Sequence, residues 1–415
     1  MDTLKVRDAK DVEEVVRAAI ASEQPLEIIG HGSKRGIGHA MATNAVLDVS
    51  ALSAVTAYEP NELIITLQAG APLADVLALI DAKNQQFAFE PINTAPLLGT
   101  PATGTIGGMI AAGLAGPRRI RAGGARDHLL GAHAVSGFGD SFKTGGKVVK
   151  NVTGYDLCKL LAGSWGTLSV MTEVTLKVMP KPEAERTLLL RGLDDATANK
   201  AMTAALGSPF DVSAAAHLPK SAFRAGTEGL DDIAGQGEGK AEALTVLRLE
   251  GITASAAHRA GSLRDLLAPF GTATLIEDVA SAALWTAIRD VLPFAASGAL
   301  GAWPVWRIVC PPASGAALGT QLARETGGEL IYDWGGGLIW AALPPKPDAH
   351  APAVRARANA VGGHATLIRA GEDVRREVDV FHPQAPGIAA LSERVRASFD
   401  PKTILNRGRL TRSAG

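Results

Sequence analysis

Apolar and polar positions alternate along the chain in two rhythms. Residues 11–22 place Val12, Val15, Val16, Ala19 and Ile20 at helical spacing, which predicts an amphipathic helix. Residues 26–29 form a short apolar run that leads directly into Gly30-His31-Gly32-Ser33-Lys34-Arg35-Gly36-Ile37-Gly38. Further strands are predicted at 46–49 and, with period two, at 63–67. Pro72 then opens a helix with a buried face of Leu73, Val76, Leu77 and Ile80, proline being favoured in the first helical turn. Strand-like segments at 129–135 and 168–178 flank a helix near 155–161, and Pro180-Lys181-Pro182 marks a boundary. Beyond it, strands at 187–190, 244–249, 303–309, 330–333, 338–342 and 366–369 alternate with helices at 196–206, 255–267, 279–291 and 352–361. The polar, glycine-rich stretch 226–240 reads as a surface loop. The fold class is α+β.

Glycine is the residue that changes this picture. Nine glycines fall between Gly99 and Gly131, and residues 91–117 carry no charge at all. That stretch is no membrane span, because it contains Pro96, Pro101 and six glycines and no long apolar run. Glycine inside regular structure costs about 0.5–1 kcal/mol relative to alanine, so such a cluster implies close backbone approach or positive φ. Exposed N–H groups in succession form concave nests for anions. Two such segments, 30–38 and 99–116, each following a strand-bearing unit, suit the pyrophosphate of a dinucleotide. Turn glycines are the plain alternative. An NAD-type unit is the other: Gly30-His31-Gly32 follows a strand and Asp48 lies eighteen residues on. Its third glycine falls one place late, at Gly36, and no apolar helical period follows.

Composition narrows the remaining chemistry. Length alone, at 415 residues, suggests two or three domains. A net charge of −1 offers no basic field for nucleic acid or acidic lipid. Two cysteines, Cys158 and Cys310, cannot hold a four-cysteine iron–sulfur cluster. The nine histidines are scattered and no H-E-x-x-H occurs, so no metal site is expected. The amino terminus is charged within its first eleven residues and lacks an apolar signal core, which predicts a cytoplasmic protein.

Residues 30–38, the turn Gln68-Ala69-Gly70, the run GTIGGMIAAG from Gly104, and Arg126-Asp127 before Leu129-Leu130-Gly131 together resemble the FAD-binding domain of the vanillyl-alcohol oxidase and p-cresol methylhydroxylase superfamily. KNVTGYDLCKLLAGSWGTLSVMTEVTLKVMP, residues 150–180, is similar to the stretch that closes that domain, and FDPKTILNRGRL, residues 399–410, to its carboxy-terminal signature. With Trp306-Arg307 and Gly362-Gly363-His364-Ala365-Thr366, the chain resembles the FAD-binding E subunits of bacterial glycolate oxidase complexes.

The resemblance implies a two-subdomain FAD-binding domain over residues 1–180, completed by 399–415, and an α+β cap over 181–398. It implies that Gly30, His31, Gly32, Ser33 and Lys34 form the first pyrophosphate loop, and Pro101, Thr103, Gly104, Thr105, Gly107 and Gly108 the second. Ala111, Gly113 and Gly116 would run along the cofactor, Arg126 and Asp127 would shape the ring-side wall, Ser169 and Val170 would present backbone groups, and Asn406 would return from the tail. Some members tether FAD through a histidine just after the second glycine of the first loop; that position here is Ser33, so FAD is expected to be non-covalent. Ser169 also replaces a usual glycine. The implied partners are a sister FAD subunit and an iron–sulfur subunit, with a small 2-hydroxy acid as substrate and with membrane contact only through a partner at the inner membrane. Arg307 reads either as a salt-bridged arginine or as a carboxylate clamp, His364 as a structural histidine, and no catalytic base is assigned. A self-sufficient 2-hydroxy-acid dehydrogenase and a non-catalytic FAD-binding subunit are the alternatives.

Overall fold

The structure, a computed structural model, describes residues 2–43, 45–101, 103–146, 155–225 and 242–412. The motif residues 150–154 and the stretch 226–240 lie outside the described residues.

The chain opens with β1 (Asp2–Lys5), the helix Ala9–Ser22, β2 (Leu26–Ile29) and β3 (Ala45–Asp48), a parallel sheet in the order β1-β3-β2. Asp8 caps the helix by accepting the Asp11 amide at 2.9 Å, and Val12, Val16 and Ala19 are its buried stripe. The following strands are β4 (Val55–Glu59), β5 (Ile64–Gln68), the short β6 (Gln85–Gln86), β7 (Leu129–Ser136), β8 (Ser141–Gly145), β9 (Ser169–Lys177) and the short β10 (Met179–Pro180). Five of them form an antiparallel sheet ordered β4-β5-β9-β7-β8, and β6 pairs with β10. The Pro72-led helix Leu73–Asp81 buries Leu73, Val76 and Ile80.

After residue 183 the chain builds one eight-stranded antiparallel sheet from β11 (Ala184–Arg191), β12 (Val212–Leu218), β13 (Leu244–Gly251), β14 (Thr274–Glu277), β15 (Val305–Val309), β16 (Glu329–Asp333), β17 (Leu338–Ala342) and β18 (His364–Arg369), in the order β14-β11-β13-β12-β16-β17-β15-β18. Period-two alternation gives it two apolar faces. Val305, Ile331, Trp340 and Ile368 pack toward Ile37, Leu97 and Ala112 of the first domain. Trp306, Ile308, Tyr332 and Leu367 pack under the helices Pro312–Thr326 and Ala351–Ala360.

The carboxy-terminal segment leaves this sheet and returns. Phe399, ending the helix Pro386–Phe399, stacks at a tilt on Phe142. Asp400 is fully buried and accepts the amides of Ile404 and Leu405 at 2.9 and 2.8 Å, and Leu405 bridges Leu26 as an added parallel partner of β2.

Candidate cofactor site

Two glycine segments meet because bare main chain lets them. A Cβ on Gly30 would lie 2.5 Å from Thr105 Oγ1, and one on Gly104, at φ 100°, would lie 2.6 Å from Ser33 Oγ and 3.0 Å from Lys34 Nζ. The second segment is sewn to the end of β5: Gly107 N–H donates to Ala69 O at 2.7 Å and Ile106 N–H to Ala71 O at 2.9 Å. Thr105 then caps the helix Ile106–Ala112 by accepting the Gly108 amide.

Between the segments runs a narrow cleft of about 100 Å³. Gly30, His31, Gly32, Ser33 and Lys34 line one wall, Thr105, Gly107, Gly108 and Ala111 the other, and Ser169 and Asn406 close it. Gly104 supports the cleft from behind Ser33 and Lys34.

Other residues predicted from the sequence fall outside it. Pro101 is exposed and Thr103 part-buried, and neither is in the lining. Val170 points away from the cleft because strand alternation sends it into the core with Val135 and Leu405. Gly113 ends the short helix in a left-handed turn against Gly163, and Gly116 abuts Glu90 and Arg289. Arg126 and Asp127 sit exposed in the turn Ala125–His128, where Asp127 accepts the Gly124 amide at 2.8 Å instead of walling the cleft.

Arg409 and Trp165 also line the cleft, and neither was singled out from the sequence. Both lie in stretches that carry the family resemblance, Trp165 in 150–180 and Arg409 in 399–410, but nothing local marks either as a cofactor contact. Arg409 is buried, its guanidinium centre lies 5.7 Å from the Trp165 ring centroid, and it donates to Lys34 O at 2.7 Å.

The polar groups here are short of partners. Among the described residues, Arg409 Nε and Ser169 Oγ are buried with none, and Lys34 Nζ has only Ser33 Oγ, at 3.5 Å. Burial pushes Lys34 down to about 8 and Arg409 to about 10. Two desolvated cations and an orphaned hydroxyl, set among bare glycine backbone, form a donor set suited to the diphosphate of FAD, whose oxygens would supply the missing acceptors.

A second cavity, about 670 Å³, lies between the first domain and the eight-stranded sheet. Its charged walls are already matched. Arg248 donates to Glu90 at 2.8 and 2.9 Å, and Arg118 donates to Glu250 at 2.7 and 3.0 Å. The carboxyls of Glu90 and Glu250 are consequently held below their ordinary range, Glu250 at about 2, despite burial. Among the described residues, no three His, Cys, Asp or Glu side chains cluster to hold a metal ion, and no helix is long and apolar enough to cross a membrane. Cys158 and Cys310 are buried free thiols.

This combination of fold and cleft defines an FAD-binding protein with the fold of p-cresol methylhydroxylase. The structure superposes on p-cresol methylhydroxylase with substrate bound at a TM-score of 0.67, covering 100% of this chain and 89% of that one at 13% identity. For 4-ethylphenol oxidase from Gulosibacter chungangensis the TM-score is 0.70, over 99% and 89% of the two chains at 14% identity. Residues 3–145 match the FAD binding domain family. The chain is 32% identical to the glycolate oxidase subunit GlcE of Escherichia coli (strain K12) over 399 residues, 96% of this chain and 95% of that one, and it belongs to the GlcE family. It is also 32% identical to glycolate oxidase subunit GlcD of Bacillus subtilis, over 43% of this chain and 38% of that one.

Proposed function

We propose that this chain is the FAD-holding subunit of a glycolate dehydrogenase assembly, in which electrons from a small 2-hydroxy acid pass through flavin and leave through an iron–sulfur partner. The observation that carries the reading is the pair of under-partnered cations, Lys34 and Arg409, facing the joined glycine segments in a chain of the GlcE family. Lys34 and Arg409 neutralise the diphosphate, Gly30 and Gly108 let main chain approach it, and Ser169 Oγ and Asn406 fix the closed end of the cleft. Bound FAD supplies the two-electron acceptor.

Ser33 stands where a tethering histidine would, and its hydroxyl faces Lys34, so flavin is held without a covalent bond. Cys158 and Cys310 lie in different cores, so electrons leave this chain to a separate cluster-bearing subunit. The assembly works in the cytoplasm, and any membrane contact belongs to a partner.

The test is an absorbance spectrum of the purified full chain before and after glycolate, alone and with the sister and iron–sulfur subunits. A flavin spectrum that is released by acid precipitation and bleached by glycolate in the assembly supports the reading. A colourless chain that takes up no added FAD overturns it. Dye-coupled turnover by the chain alone replaces it with a self-sufficient dehydrogenase. A flavin that stays oxidised while the assembly turns over makes this a non-catalytic subunit.

A further inference from the structure

We propose that Arg307, with Arg119 reaching over from the first domain, binds the carboxylate of a small hydroxy acid on the sheet face that turns toward the second glycine segment. The ligand class rests on the function proposed above; the need for an anion rests on the structure.

Arg307 is on β15 between Val305 and Val309, which pack toward the first domain, so alternation sends its side chain to the same side. Its guanidinium centre lies 5.0 Å from the Trp334 ring centroid, and that of Arg119 lies 4.6 Å from the same centroid. Two cations therefore converge on one indole. Arg307 Nε is shielded from water and unpartnered, and among the described residues no carboxylate reaches ion-pair distance of Arg307 or Arg119. Asp333 spends an oxygen on the Trp334 amide at 2.6 Å, and its burial favours the neutral acid.

Other buried arginines of this sheet are treated differently. Arg248 is given Glu90 and Glu250, and Arg369 is given the carbonyls of Leu97, Leu300 and Trp303. A buried cation without a partner is costly. Among the described residues, Arg307 is thus the one of these three that has neither a carboxylate nor a carbonyl acceptor. Cation–π contact with Trp334 orients it without neutralising it.

Trp334 is itself held hard in place. It has φ 54°, a left-handed conformation rare for a bulky residue, and is followed by Gly335 and Gly336 at φ 65° and 96°. Its indole N–H donates to Gly116 O at 3.0 Å, which sets the arginine pair over the end of the second glycine segment. His364 shares the face of Arg307, two residues from the Thr366 that pairs with it, and is exposed. Partial desolvation of its ring, and then the nearby Arg307, hold it below its ordinary range.

The probe is ¹³C-glycolate added to the full chain with and without FAD, read by NMR line broadening, with ethylene glycol as the uncharged control. Glycolate broadens and ethylene glycol does not. Arg307→Lys weakens glycolate binding at least tenfold, and Arg119→Gln, at an exposed position, weakens it several-fold with an unchanged melting midpoint. Glycolate binding that is absent in the native chain, or unchanged in Arg119→Gln, overturns the proposal. A chain that binds glycolate but takes up no FAD would sink the functional reading and leave the anion site standing.

Discussion

Asn406 holds Ile28 across 378 positions of sequence: its Oδ1 accepts the Ile28 amide at 2.8 Å, while its Nδ2 donates to Trp165 O at 2.7 Å. One tail side chain therefore ties the strand before the first glycine loop to the turn before β9, at the closed end of the cleft. Asn406 has φ 44°, a conformation that asparagine tolerates better than most residues. Asn406→Ala strands a part-buried donor and acceptor at about 1–3 kcal/mol each. It is expected to destabilise the chain by about 2–4 kcal/mol in chemical denaturation and to speed FAD release in stopped-flow measurement.

The close approach of Gly30 to Thr105 makes a sharp comparison possible within one loop. Gly30→Ala drives a Cβ into the Thr105 side chain and forces the loops apart, at about 1–3 kcal/mol of overpacking. Gly36→Ala meets nothing within 4 Å. The first variant is expected to be purified without flavin and to take up none. The second is expected to remain yellow, with stability within about 0.5 kcal/mol of the native chain.

Lys34 gives the cleft a signature in pH. With its ammonium pushed down to about 8 by burial, the chain without cofactor loses that charge as pH rises through 8, whereas a bound diphosphate favours the charged form. Binding then takes up a proton above pH 8, so FAD affinity is flat from pH 6 to 7 and falls up to about tenfold per unit above 8. Lys34→Met is expected to weaken FAD by about 10–100-fold at pH 7, the worth of a charged hydrogen bond, and to remove the slope. Because a pKa lowered in the fold disfavours folding below pH 8, the same variant should melt higher than the native chain when both are free of FAD. Titration calorimetry across pH and thermal melts check the two halves separately.

Elements with strong apolar periods were legible in the sequence: the helix Ala9–Ser22, the Pro72-led helix and most strands of the large sheet lie within two or three residues of their predicted places. The helix Pro312–Thr326 was not, because its buried face carries Gly315, Ala316 and Gly319 among its leucines. Their smallness is functional in packing: a Cβ at Gly315 would lie 2.0 Å from Gly336 O and one at Gly319 2.3 Å from the Tyr332 hydroxyl. β12, with three consecutive alanines, hid for a related reason, its side chains being too small to mark a strand. At the cleft, glycines announced themselves by composition, whereas Arg409 and Trp165 depend on a tail that returns from 375 residues away and on a stacking contact that no local pattern encodes.

The matched cavity beside the eight-stranded sheet sets the acid limit of the fold. Arg248 is almost fully buried and held by Glu90 and Glu250, while Glu185 within 4.0 Å is pushed up by burial and adds less charge. Removing one carboxylate leaves a buried guanidinium short of a partner, so Glu90→Gln is expected to cost about 3–5 kcal/mol. The pH sense follows from Glu250. Its pKa is lowered in the fold to about 2 from an ordinary 4.5, so its contribution is complete above 4.5 and is lost as pH falls toward 2. Asp333, pushed up to about 7, works oppositely: the fold holds its proton between about 4 and 7, and this group stabilises more as pH drops through that range. Stability should therefore hold or rise slightly from pH 7 to 5 and collapse below 4.5. In Glu250→Gln the chain should start weaker at pH 7 and lose less on acidification. Urea denaturation at pH 7, 5 and 3 reads all three points, and an acid limb as steep in Glu250→Gln as in the native chain would refute the assignment.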